Sequence, residues 1–261
     1  MSRPIQLFPL FAELETLSGL GPKSVKNFAA LGVTIPRDML FLLPHSGVDR
    51  SRKSSLRDVA LPATVTVEVE VGLHFPPPSR GRPYRIMVRD AKLDFILVYF
   101  HAKGDFLQAL LPTGQRRIVS GKVELFDGVA QMPHPDHVLR VEEAAQLPLY
   151  EPVYPLVAGI TQKLVAKGVA ASLERTPDLP EWIDPGQLAR EFWPDWRSAL
   201  LTVHAPQGPQ DLVPTAPARL RLAYDELFAH QLTLSLARAS LRRGKGLASI
   251  GTGMLQAKVL K

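Results

Sequence analysis

Cysteine is absent from the 261 residues. That excludes disulfides, thiolate metal sites and a cysteine nucleophile. No apolar run approaches the ~18 residues that cross a bilayer. Residues 1–14 lack a cationic start followed by a long apolar core and carry Pro4, Pro9 and Glu13, so no signal peptide is expected. These absences predict a soluble, cytoplasmic protein. Phosphate-loop motifs are missing too. The glycines of residues 244–253 are not followed by Gly-Lys-Ser/Thr at the required spacing, and Gly121-Lys122 is followed by Val123. Neither a Gly-x-Ser-x-Gly elbow nor a His-Glu-x-x-His pair occurs. His134-Pro-Asp-His137 reads as a proline turn with surface histidines, and no metal is expected.

What is present describes a folded chain. Hydrophobic residues make up 46% and charged residues 21%, ordinary values that leave room for a real core. The length suits one large domain or two to three small ones. The 24 prolines predict short elements and many turns. The net charge of +6 is modest, but it is segregated. Residues 1–57 hold eight Lys/Arg against four acids, whereas residues 142–195 hold four against nine. A basic first half favours a polyanionic partner, although solvated surface charge can cluster in the same way.

Four segments follow from periodicity. Residues 1–57 are expected to be helical, with Leu14, Leu17, Leu20, Val25, Phe28, Leu31 and Val33 near helical spacing. Residues 58–148 read as strands. Residues 64–71 alternate almost perfectly, and further strands are expected at 84–90, 93–101, 115–126 and from 129 onward. A short helix at 105–111 falls between the third and fourth. Three strands, a helix and two strands is the order of an OB-fold barrel, which binds oligonucleotides on strands 2 and 3. Residues 149–218 form a proline-rich segment with short helices at 162–172, 185–192 and 195–203. Residues 219–261 comprise a long helix to about 243 and a loose tail. Its leucines at 220, 227, 234 and 241 are read as a packing face. The fold class expected is therefore α+β, a five-stranded OB-fold-like barrel flanked by helical regions.

Two segments offer binding chemistry. Residues 16–25 place a glycine turn before a helix carrying Lys23 and Lys26, like the hairpin of helix-hairpin-helix DNA binders; an ordinary connector reads the same way. In the barrel, Arg80, Arg82, Arg85, Arg89 and Lys92 precede Phe95, Tyr99, Phe100 and Phe106, with Arg116 and Arg117 further on. Cations neutralise phosphates and flat rings stack on bases, which is the requirement for holding single strands. Strand alternation sends Tyr99 and Phe100 to opposite faces, so one of them belongs to the core.

The motifs, taken in order, resemble the N-terminal wedge region of RecG helicases. They are Leu17-Ser-Gly-Leu-Gly-Pro-Lys-Ser24, Asp38-Met-Leu-Phe-Leu-Leu-Pro44, Asp49-Arg50, Val98-Tyr-Phe100, Gly121-Lys-Val-Glu-Leu-Phe126, Gln131-Met-Pro-His-Pro135, Pro152-Val-Tyr-Pro155 and Ala218-Arg-Leu-Arg-Leu-Ala-Tyr-Asp-Glu-Leu-Phe228. The resemblance implies an OB-like wedge that parts the arms of a replication fork or Holliday junction during recombination and repair. It implies that aromatic residues stack on bases at the branch; these positions correspond to Phe100 and, after the insertion 102–105, Phe106, with Tyr99 a neighbour. The family's two RecA-like ATPase domains have no counterpart here, so no catalytic residue is expected. ATP and magnesium would belong to that missing motor. Branched DNA is the partner implied. A split helicase subunit joined by a separate motor, or a module binding the tails of single-strand-binding proteins, is the alternative; no membrane partner is expected.

Overall fold

The computed structural model describes residues 4–79, 81–101, 103–242 and 251–260. In chain order the elements are helices α1 (Pro22–Phe28) and α2 (Pro36–Leu40), then strands β1 (Ser46–Asp49), β2 (Arg52–Lys53), β3 (Ala63–Phe75), β4 (Tyr84–Arg89) and β5 (Asp94–Tyr99). Helix α3 (Gly104–Leu110) precedes β6 (Arg116–Phe126), β7 (Val129–Pro133), β8 (His137–Arg140) and β9 (Tyr150–Val153). Helices α4 (Gln162–Glu174), α5 (Pro185–Glu191), α6 (Trp196–His204), α7 (Pro217–Arg242) and α8 (Met254–Val259) follow. Prolines open α1, α2, α5 and α7, where a missing N–H removes no helical bond.

The barrel follows from β3. Val65, Val67, Val69 and Val71 all point inward and are at most 1% exposed. Residues 63–70 of β3 pair with β6, and residues from Glu70 to Phe75 pair with β4. The β4–β5 and β6–β7 pairs are antiparallel, and β5 and β7 pair in parallel. These ladders join into a ring in the order expected of an OB-like fold. A register shift between Val71 and His74 bends β3 from one neighbour to the other. Gly72 sits at that bend, where a Cβ would stand 3.0 Å from the Met87 carbonyl oxygen. Helix α3 closes the interior with Leu107, and Leu111 lies just beyond it; both are fully buried.

A second body combines both ends of the sequence. Leu14, Leu17, Leu20, Phe28 and Met39 share a core with Tyr154, Ile160, Val165 and Val169. Leu10 and Leu40 pack with Leu200, Val203 and Leu222. The short proline-bounded helices thus bury their apolar sides against the N-terminal segment. Strands β1 and β9 pair as an antiparallel ribbon between these regions. Arg50 fastens the ribbon to the barrel. It is 6% exposed and reaches Glu151 at 2.7 Å, Asp136 at 2.9 Å and the Ser120 hydroxyl at 3.0 Å. Burial alone would raise the Glu151 carboxyl, but His137 and Arg50 outweigh it and hold the carboxyl below its usual range.

The leucine stripe of the last long helix departs from expectation. Ala218, Arg221 and Leu222 form the buried side of α7, while Leu227 and Leu241 are exposed and Leu220 is partly so. The first turns are oriented by α6 and by Arg221, whose guanidinium meets Glu181 at 2.9 Å and Asp225 at 3.0 Å. That anchoring turns the stripe outward. No helix among the described residues is long and apolar enough to cross a membrane.

Candidate nucleic-acid interface

Alternation along β5 decides which ring is available. Phe95, Leu97 and Tyr99 face the barrel interior, and Phe100, the first residue past the strand, is 46% exposed. Tyr99 is therefore corrected from a stacking candidate to a core ring, 8% exposed and opposite Tyr84 across the ladder. Its hydroxyl has no hydrogen-bond partner among the described residues, and burial raises its pKa. Phe95 is likewise core. Phe106 lies on the outer side of α3, 61% exposed, because Leu107 takes the inward position.

In the connection between β3 and β4, Pro77, Ser79, Gly81 and Arg82 come beside Phe100. Pro77, Ser79, Gly81, Arg82, Phe100 and His101, with the edges of the largely buried Tyr84 and Tyr99 beneath them, line one cleft of about 460 Å³. Arg85 is exposed on β4, paired in register with Phe75 on one side and Val98 on the other. Phe75 is itself 47% exposed. Lys103 lies exposed between the two exposed phenylalanines of the β5–α3 junction. Arg80 lies outside the described residues.

The barrel's cations fall into two groups. Arg89 forms a fork with Asp94 at 2.6 and 3.0 Å, and Lys92 meets Asp58 at 2.7 Å, so both are already neutralised. Arg116 pairs with Glu68, which also takes Arg52. Arg117 donates to the carbonyls of Leu110 at 3.1 Å and Arg116 at 2.8 Å. Arg116 and Arg117 line another cleft with Arg140, Glu142 and Glu143, which shares no lining residue with the one at Phe100. Arg82, Arg85 and Lys103, by contrast, form no ion pair among the described residues.

Lys23 and Lys26 are exposed on α1, in the helical body rather than on the barrel. The preceding turn uses Gly19 at φ +80°, and the Ser24 and Val25 N–H groups donate back to the Gly21 carbonyl. His134 and His137 diverge: one meets Phe100, the other Glu151. No group of three His, Asp or Glu among the described residues could hold a metal ion. Sequence reasoning missed Lys103, Phe75 and His134. Only His134 carried a signal, its place within Gln131-Met-Pro-His-Pro135.

No protein-family model matches the chain. It is 26% identical to the ATP-dependent DNA helicase RecG of Pasteurella multocida (strain Pm70), over 86% of this chain and 33% of that protein. RecG of Thermotoga maritima is 26% identical, over 97% of this chain and 32% of the relative. A solved RecG bound to a three-way DNA junction shares the fold, with a TM-score of 0.71, 24% identity, and coverage of 96% of this chain and 34% of that one. The chain spans about a third of the length of these relatives. The resemblance to the RecG wedge region thus holds in sequence and in fold along nearly the whole chain.

Proposed function

We propose that this chain binds branched DNA, such as replication forks and Holliday junctions, as the wedge part of a RecG-like helicase in recombination and repair. Arg82, Arg85 and Lys103 hold phosphates of the arms, and Phe100 and Phe106 stack on bases that have lost their partners. The observation that carries this is the pairing pattern. Phe100 lines its cleft with Arg82, and Arg82, Arg85 and Lys103 form no ion pair among the described residues, whereas Arg89, Lys92 and Arg116 are each paired with a carboxylate. Phosphate contact releases counterions and supplies affinity without reading sequence. Stacking adds sequence-tolerant affinity for unpaired bases. Binding of the whole chain to a fork and to a linear duplex of equal length is the test. The fork is expected to bind more tightly, and F100A/F106A to bring the two affinities together. Equal binding by the unaltered protein would overturn the reading.

A second partner is supported by α7. Leu220, Leu227 and Leu241, spaced by multiples of seven residues and so on one side of α7, are 38%, 65% and 80% exposed. Exposed apolar surface of this kind marks a protein contact, and it suits an ATPase-bearing partner. Its test is whether DNA-stimulated ATP turnover by such a motor falls when Leu227 and Leu241 are changed to Gln.

A further inference from the structure

The ring proposed to stack is not held by its own strand. Phe100 follows the last residue of β5, and the β5–β7 ladder ends at Val98 and Pro133. The next backbone donor, the Phe100 N–H, goes to a side chain instead: it donates to His134 Nε2 at 3.1 Å. The two rings lie 5.4 Å apart between centroids, tilted by 34°. His134 also meets Tyr99 edge-on at 5.9 Å, and its backbone N–H donates to the Val98 carbonyl at 2.8 Å. His134 therefore touches the core ring before Phe100, Phe100 itself and the strand that carries both.

Backbone conformation sharpens the point. His134 has φ +44°, and His101, immediately after Phe100, has φ +61°. Residues other than glycine enter this region rarely, and such strain persists where surrounding contacts require it. The Phe100 bond also assigns a proton. Nε2 accepts, so in the neutral ring the proton sits on Nδ1.

We propose that His134 is a positioning residue for base stacking: it fixes the Phe100 backbone and covers one side of the ring, so that Phe100 takes a single base from the side of the cleft. His134 does not line that cleft, whereas Arg82 and Pro77 do. This rests on the stacking reading above, and a measurement without DNA separates the two.

The first measurement is hydrogen exchange of the Phe100 amide in the free, whole chain. In H134A it should exchange roughly tenfold faster, as expected on losing about one hydrogen bond. H134Q, which can accept but has no ring, should restore part of the protection. Unchanged exchange in a folded H134A overturns the proposal. The second uses forks carrying 2-aminopurine at successive positions around the branch. One position should respond strongly in the unaltered protein, lose its response in F100A, and respond weakly in H134A with the salt dependence of binding unchanged. Should F100A remove that response while H134A keeps it in full, His134 does not position the ring. Should F100A itself change nothing, the stacking reading fails, and the exchange result alone decides the role of His134. If H134A does not fold, H134Q against H134N gives the same comparison, because only the glutamine reaches the Nε2 position.

Discussion

The Tyr154 hydroxyl donates to His204 Nδ1 across 3.1 Å, with the two rings stacked at 5.8 Å. The other ring nitrogen, Nε2, donates to the Leu40 carbonyl at 2.9 Å. Both nitrogens are used by a neutral imidazole buried between two parts of the helical core.

Acid should therefore loosen the helical body. Burial, aided by nearby Arg219 and opposed by the Leu40 hydrogen bond, lowers the His204 pKa from 6.5 to about 4. With the folded value depressed, the unfolded chain takes up the proton first as pH falls. The stability it contributes is complete above pH 6.5 and is lost progressively toward pH 4, by roughly 3 kcal/mol in all. Thermal unfolding between pH 7 and 4 checks this. H204Q should be less stable at pH 7 and show a flatter profile.

Each exposed phenylalanine should carry its own share of fork affinity. F100A and F106A are expected to cost ~1–3 kcal/mol each if each ring stacks on one base. Y99F serves as the contrast. Its lost hydroxyl has no partner among the described residues, so fork affinity should stay unchanged and stability should hold or rise. Titration of fork DNA with the three variants gives the comparison, and an effect of Y99F equal to that of F100A would reverse the assignment of the two rings.

Cations should separate by their pairing. R82A and R85A are each expected to lower the salt slope of fork binding by about one unit. R89A, whose guanidinium is held by Asp94, should leave the slope close to the unaltered value. Binding measured over a series of salt concentrations tells them apart.

Arg221 should prove costly to remove. It is fully buried, bonded to Glu181 and Asp225, and lies 5.1 Å over the Trp182 ring. R221A strands two carboxylates and is expected to lose about 3–5 kcal/mol. R221K should recover only part, because an ammonium cannot reproduce the planar fork. Chemical denaturation of the three proteins measures the difference.

The barrel was legible in the sequence because its signal is local. Val65 to Val71 alternate on one strand, and a two-residue repeat needs no knowledge of neighbours. Strands β1 and β9 were not, since Ser46–Asp49 has no alternation and forms only by meeting Tyr150–Val153 about a hundred residues later. Partnership between charges was invisible for the same reason. Arg82 and Arg89 look alike in a list of cations, and only the hairpin geometry sets Asp94 beside Arg89. Strand parity showed that Tyr99 and Phe100 must part company, but not which would go inside. That depends on the side to which Phe95 and Leu97 are committed.

One strand serves two ladders, and this sets where the chain tolerates changes of length. Adding a residue within 63–70 of β3 would turn every following valine to the opposite face and misalign both β4 and β6. Residues 76–79 and 81–83 of the proline-rich connection carry no ladder, so a change of length there leaves the register of the frame intact. Diversity in the reach of this tip toward different junctions would then come from that connection, while the frame beneath it keeps a fixed residue count.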